Sequence, residues 1–135
     1  MNRIQIMMRC LAVLCAVVFS LHASAQDKYS AQYDACIEKA EGITVNMNDC
    51  NNKELALQNA RLNESYKAAM GALEDAQKTQ LRDAQRLWVK YRDANCFMYY
   101  HFSGGTMDQI NGAGCMLTMT VDRTEELKWF AETGE

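Results

Sequence analysis

Apolar residues along this chain recur at steps of three, four and seven rather than in alternation, and no proline interrupts them. That pattern predicts an all-α protein of about four helices. Ser30 is placed to cap a first helix with an apolar face of Tyr33, Cys36, Ile37 and Ala40, and Gly42 is placed to end it in a left-handed turn. Thr44 is expected to cap a second helix whose stripe is Leu55, Asn59, Leu62, Tyr66, Ala69 and Leu73. A third helix follows, with Leu81, Ala84, Trp88, Tyr91 and Asn95 on its stripe. The phase runs on through Asp75 to Lys78, so the pattern alone permits one rod from Thr44 to Phe102. Such a rod would be about 90 Å long and a small domain would cover little of it, so a break and a long helical hairpin are expected. Residues 103 to 114 are rich in turn formers and predict a loop. A last helix then carries Met116, Met119, Arg123, Leu127 and Phe130 on one face. There is no internal repeat.

The start of the chain reads differently. Arg3 and Arg9 precede a short apolar run from Cys10 to Leu21, and Ala23-Ser24-Ala25 is a small-residue cleavage site, the order of a secretory signal. The run is too short for a membrane-spanning helix, which needs roughly 20 residues. Arg9 and Leu14 stand before Cys10 and Cys15, where a lipoprotein cleavage site requires a small residue. The expectation is a signal peptide over residues 1–25 and a single periplasmic or secreted domain over 26–135.

Cleavage leaves 12 basic against 17 acidic residues, a net charge of −5, which argues against nucleic acid as a partner. It suits attraction to a cationic protein, or simply solubility. Four cysteines remain, Cys36, Cys50, Cys96 and Cys115, and an even number in an oxidising compartment predicts two disulfides. Three pairings exist in principle; sequence proximity favours Cys36 with Cys50 and Cys96 with Cys115. A zinc site is disfavoured, because no close cysteine pair occurs and His101 is the mature chain's one histidine.

Trp88, Tyr91, Arg92 and Asp93 cluster before Cys96, and their place on a helical stripe assigns them to the core rather than to a ligand. Arg123 on a seam needs an acceptor on the facing helices, with Asp93 and Asn59 as candidates, unless it reaches solvent. Tyr99, Tyr100, His101 and Phe102 lead into Ser103, Gly104, Gly105, Thr106 and Asp108. Aromatic rings on a disulfide-framed loop suit protein recognition, because rigid side chains lose little entropy on binding; the other reading is that they cover the end of the bundle. Met98, Met107, Met116 and Met119 near His101 offer soft copper(I) ligands, but gap-filling is the commoner use of methionine, and neither metal nor cofactor is expected. One histidine, no free thiol and no nucleophile elbow leave no catalytic set, so an enzyme is not expected.

Taken in order, Cys36, Thr44, Met47 and Cys50, then Leu62-Asn63 with Tyr66, then Ala84-Gln85-Arg86 with Trp88, Tyr91-Arg92-Asp93 and Cys96, then Gly104-Gly105-Thr106, Cys115 and Arg123, resemble the LprI-type lysozyme inhibitor family. The resemblance covers nearly all of the mature chain. It implies a hairpin-based helical bundle, disulfides between sequence neighbours, and binding of c-type lysozyme. Asn59 departs from the acidic residue the family often has three positions before the Leu-Asn pair, which would reduce an ion pair with Arg123 to a neutral hydrogen bond. The functional expectation is an exported protein that blocks the cleft of a lysozyme-type muramidase with residues 103–111 and the flanking aromatic rings. The alternative is an envelope stress, assembly or immunity factor that binds another secreted protein.

Overall fold

A computed structural model describes residues 28–134; the expected signal segment lies outside them. The described residues form four helices, α1 (Ala31–Lys39), α2 (Thr44–Ala72), α3 (Asp75–Tyr100) and α4 (Met107–Thr133). The hydroxyl of Ser30 accepts the N–H of Tyr33 at 3.1 Å and caps α1. The chain then turns through Glu41 and Gly42, both at positive φ. Thr44 is the first residue of α2 rather than its cap, and Ile43 before it offers no side-chain bond.

The expected break falls at Leu73 and Glu74, which are extended. A reciprocal cap fixes it there: the Glu74 side chain accepts from the Gln77 backbone, and the Gln77 side chain accepts the Glu74 N–H at 3.0 Å. Leu73, now in the turn, is buried. The disulfides join Cys36 to Cys50 and Cys96 to Cys115, with Cα atoms 5.7 and 5.5 Å apart. The first ties α1 to α2 and the second ties α3 to α4.

Helix α4 is the centre of the bundle. It packs along both α2 and α3, most extensively along α2, whereas α1 packs on α2. Leu62, Ala69, Leu73, Leu81 and Leu127 form the buried cluster, with Tyr66, Met70, Trp88 and Phe130 packed around it. At the other end of α4, Ala113, Leu117 and Val121 are buried.

Two of the expected stripes are out of register with the buried faces. In the first half of α2 the buried residues are Cys50, Asn51, Glu54 and Gln58, while Leu55 and Asn59 are only half-buried. The carboxylate of Glu54 is tolerated because it is fully bonded. It accepts the Ser30 N–H at 2.9 Å, the Ser30 hydroxyl at 2.5 Å and the Gln58 side-chain amide at 2.7 Å. Along α3, Tyr91 is exposed rather than part of the core. Arg92 takes the inward place, with its guanidinium 5.0 Å from the Trp88 ring centroid, and it donates to Asp93 at 2.8 Å. Asp93 is itself exposed.

Arg123 is buried, but its partners are neither Asp93 nor Asn59. Its Nε donates to Gln85 Oε1 on the facing helix at 2.9 Å, and its Nη1 to Glu126 on its own helix at 2.6 Å. The third nitrogen, Nη2, is buried without a partner.

Candidate functional site

The turn between α3 and α4 is where the candidate recognition residues gather. Just behind it the Cys96–Cys115 bond clamps the two helices, and Cys96 is wholly buried. Beyond that clamp the last turn of α3 presents Phe97, Met98 and Tyr99 to solvent. Tyr100 points the other way: its ring lies on α4 at Gly112, where an added Cβ would overlap the root of the ring. Burial raises the Tyr100 hydroxyl above the usual tyrosine range. Tyr100 therefore holds the end of the bundle closed.

His101 stacks on Phe97 with ring centroids 4.0 Å apart, and its Nδ1 lies 2.9 Å from the Phe97 carbonyl oxygen. A carbonyl can only accept, so Nδ1 carries the proton and Nε2 faces outward. Phe102 is 84% exposed, the most exposed large apolar side chain among the described residues.

The turn is shorter than its composition predicts. Helix α4 begins at Met107, so Gln109 to Gly114 are helical and the non-helical stretch is His101 to Thr106. The reason is Asp108. Its carboxylate reaches back to accept the N–H of Ser103 and that of Gly104, each at 2.8 Å, and the Ser103 hydroxyl at 2.8 Å. The Ser103 oxygen in turn accepts the Gly105 N–H at 3.2 Å. Gly104 supplies the left-handed step, with φ of +77°. The Ser103 N–H and then its hydroxyl hold the Asp108 carboxyl below the ordinary aspartate range against the opposing effect of burial, with smaller help from the Gly104 N–H and the charge of His101.

Asp108 is thus an internal latch and not a surface contact; with Tyr100 it leaves the exposed set as Tyr99, His101, Phe102, Ser103, Gly104, Gly105, Thr106 and Met107. Residues 97–107 contain no carboxylate, lysine or arginine. The surface they make is aromatic and, His101 aside, without acidic or basic side chains.

Other expected sites do not assemble here. Met119 turns inward, with its sulfur 3.7 Å from that of Cys96, whereas Met98 and Met107 are exposed. Among the described residues no group of three histidine, cysteine or acidic side chains is arranged to hold a metal, and no helix is long and apolar enough to cross a membrane.

The described residues thus form a disulfide-clamped helical bundle with an exposed aromatic turn at one end. Comparison with known families identifies its class: the family model described as Lysozyme inhibitor LprI matches residues 36–127, and the chain belongs to that family. Membership indicates lysozyme inhibition in general and a lysozyme-type partner. With the two disulfides it is consistent with an extracytoplasmic protein. An uncharacterized protein of Rhizobium meliloti (strain 1021) is 29% identical over 105 residues, covering 67% of this chain and 76% of the relative. No solved structure matches.

Proposed function

We propose that this chain is exported, loses residues 1–25, and inhibits a lysozyme-type muramidase non-enzymatically by seating the α3–α4 turn in the enzyme's cleft. The observation that supports this most directly is the turn itself, where Tyr99, His101 and Phe102 stand exposed on backbone fixed by the Cys96–Cys115 bond and by Asp108. A preformed turn orders few groups on binding, so more of the contact energy appears as affinity. Muramidases cleave between two carboxylates in an open groove, and an aromatic wedge of this shape would exclude the sugar without burying an unpaired carboxylate, lysine or arginine.

Because the turn has no carboxylate, lysine or arginine, the protein's acidic balance acts at long range. Salt should slow association with a cationic enzyme more than it speeds dissociation.

The test is turnover of a c-type lysozyme on cell-wall substrate with the mature protein at micromolar excess and low ionic strength. Inhibition is expected, and Phe102→Ser with Tyr99→Ala should weaken it about tenfold or more while the helical circular dichroism is unchanged. Unchanged turnover, or equal inhibition by the folded double variant, overturns the proposal.

A further inference from the structure

Helix α3 carries a second apolar face that is left exposed among the described residues. Gln80, Ala84, Leu87, Tyr91, Ala94 and Met98 follow one another at steps of four, three, four, three and four. This is the 3.5-residue repeat of a coiled-coil seam. The face is open: Leu87 is 67%, Tyr91 62% and Met98 64% exposed. It lies to one side of the face that packs on α4, which carries Leu81, Trp88 and Cys96. Large apolar side chains aligned on one exposed seam mark an interaction surface rather than scattered surface residues.

The charges beside the seam indicate what covers it. Asp83 and Lys90 stand one residue before Ala84 and Tyr91, so both flank the seam on the edge away from α4. Lys90 has no ion pair among the described residues, and Asp83 has only a 3.9 Å contact with exposed Arg86. When two copies of one helix pack antiparallel about a two-fold axis, the same edge of each meets, so residue i opposes residue j and j opposes i. Asp83 then faces the partner's Lys90, and Lys90 faces the partner's Asp83. A parallel pair would set this edge against the opposite one, which holds Trp88 and is occupied by α4. We infer that α3 is a homodimerisation helix whose occupant is a second copy of this chain, packed antiparallel with Asp83 opposite the partner's Lys90.

That register has packing consequences that match the surface. It sets Ala84 against the partner's Leu87 and Gln80 against the partner's Tyr91. Gln80 and Ala84 line a groove of 460 Å³ whose other walls include Leu81, Trp129 and Phe130. The partner's tyrosine ring therefore meets a recess where this helix offers only small or flexible side chains, as a knob meets a hole. The crossing falls near residues 85–86, close to the middle of α3, so the two α3–α4 turns point away from each other and stay free. The dimer does not depend on what those turns bind.

Sedimentation equilibrium of the mature protein tests the inference, with circular dichroism confirming that each variant folds. The wild type should dimerise below about 100 µM. Asp83→Lys places lysine opposite lysine twice and should raise the dimer Kd about tenfold, and Lys90→Asp should do the same. The double swap, Asp83→Lys with Lys90→Asp, should restore the wild-type Kd within about twofold, and the two single variants should form a heterodimer when mixed. Leu87→Glu should leave a monomer. A wild type that stays monomeric, or a double swap that associates no better than either single variant, overturns the proposal. So does a monomeric wild type whose muramidase binding is lost in Leu87→Glu, which would give this face to the target.

Discussion

The ring of Tyr100 rests directly on the backbone of α4 at Gly112, so closely that a methyl group at Gly112 would occupy the space of the ring's first three carbons. The absence of a side chain at one position on α4 thus lets the last residue of α3 pack inward and aims its neighbours, Tyr99 and His101, outward. Gly112→Ala gains about 1 kcal/mol of helix propensity but must displace the ring at its root, which costs more. A net loss of about 1–2 kcal/mol in urea unfolding is expected. The loss should largely vanish in a Tyr100→Ala background, because there the clash has no partner. A Gly112→Ala protein as stable as the wild type contradicts this reading.

The helical class and the disulfide pairing were legible in the sequence, and so was the need for a break between α2 and α3. Its position was not. The signal is Glu74 followed three residues later by Gln77, a capping box in which the third position is the usual Gln but Glu stands at the cap in place of Ser or Thr. The stripe on α2 was misplaced because apolar periodicity cannot register a buried carboxylate. Glu54 is inside with its carboxylate bonded by Gln58 one turn on and by Ser30, 24 residues earlier, a partner that periodicity does not reveal. Tyr91 reads as core because apolar character alone does not tell a core seam from an exposed one, and Tyr91 is only about 60° around the helix from Trp88. Composition marks the aromatic turn but not which of its residues face outward: Tyr100 turns inward, and the role of Asp108 depends on backbone geometry five residues away.

Glu54 makes the first helix sensitive to acid. Burial alone would raise its carboxyl, but the bonds from Ser30 and Gln58, with the charge of Arg61, outweigh this and hold it below the ordinary glutamate range. A group whose folded pKa is depressed contributes its full stability above its unfolded value of about 4.3 and loses it as pH falls through the folded value. Glu54→Ala should cost about 2–3 kcal/mol near neutral pH, since it leaves the Ser30 N–H and the Gln58 amide without their acceptor. Its penalty should shrink below about pH 4. A penalty independent of pH would mean that the ionised carboxylate is not what holds the segment.

The Asp108 latch predicts a local, not global, response to pH. Its carboxyl is also depressed, chiefly by the Ser103 N–H, so the latch is complete above the ordinary aspartate range and opens as pH falls through the lower folded value. Amide exchange at Ser103 and Gly104 should accelerate, relative to the intrinsic rate, below about pH 4, while amides in the middle of α4 stay protected. Asp108→Asn should weaken that protection at neutral pH, because the one oxygen that accepts both N–H groups loses its negative charge and the second oxygen, which accepts the Ser103 hydroxyl, becomes an amide nitrogen. Unchanged protection in Asp108→Asn would show that the turn is held by the disulfide alone.

The two disulfides should separate stability from inhibition. Each closes a short loop and should contribute about 3 kcal/mol in the chain-entropy description. Cys36–Cys50 ties α1 to α2 and includes no residue of the two helices that carry the aromatic turn. Cys96–Cys115 stands at the base of that turn, between the helices that carry it. Replacing Cys36 and Cys50 by serine should lower the unfolding midpoint and expose α1 to proteolysis, yet leave muramidase inhibition within about twofold. Replacing Cys96 and Cys115 should lower stability by a similar amount and also raise the inhibition constant about tenfold, because the turn must then be ordered at the moment of binding. The comparison is made at a temperature where both proteins remain folded. If the two pairs weaken inhibition equally, the turn has no special part in it, and the binding surface must be sought on the faces of the helices.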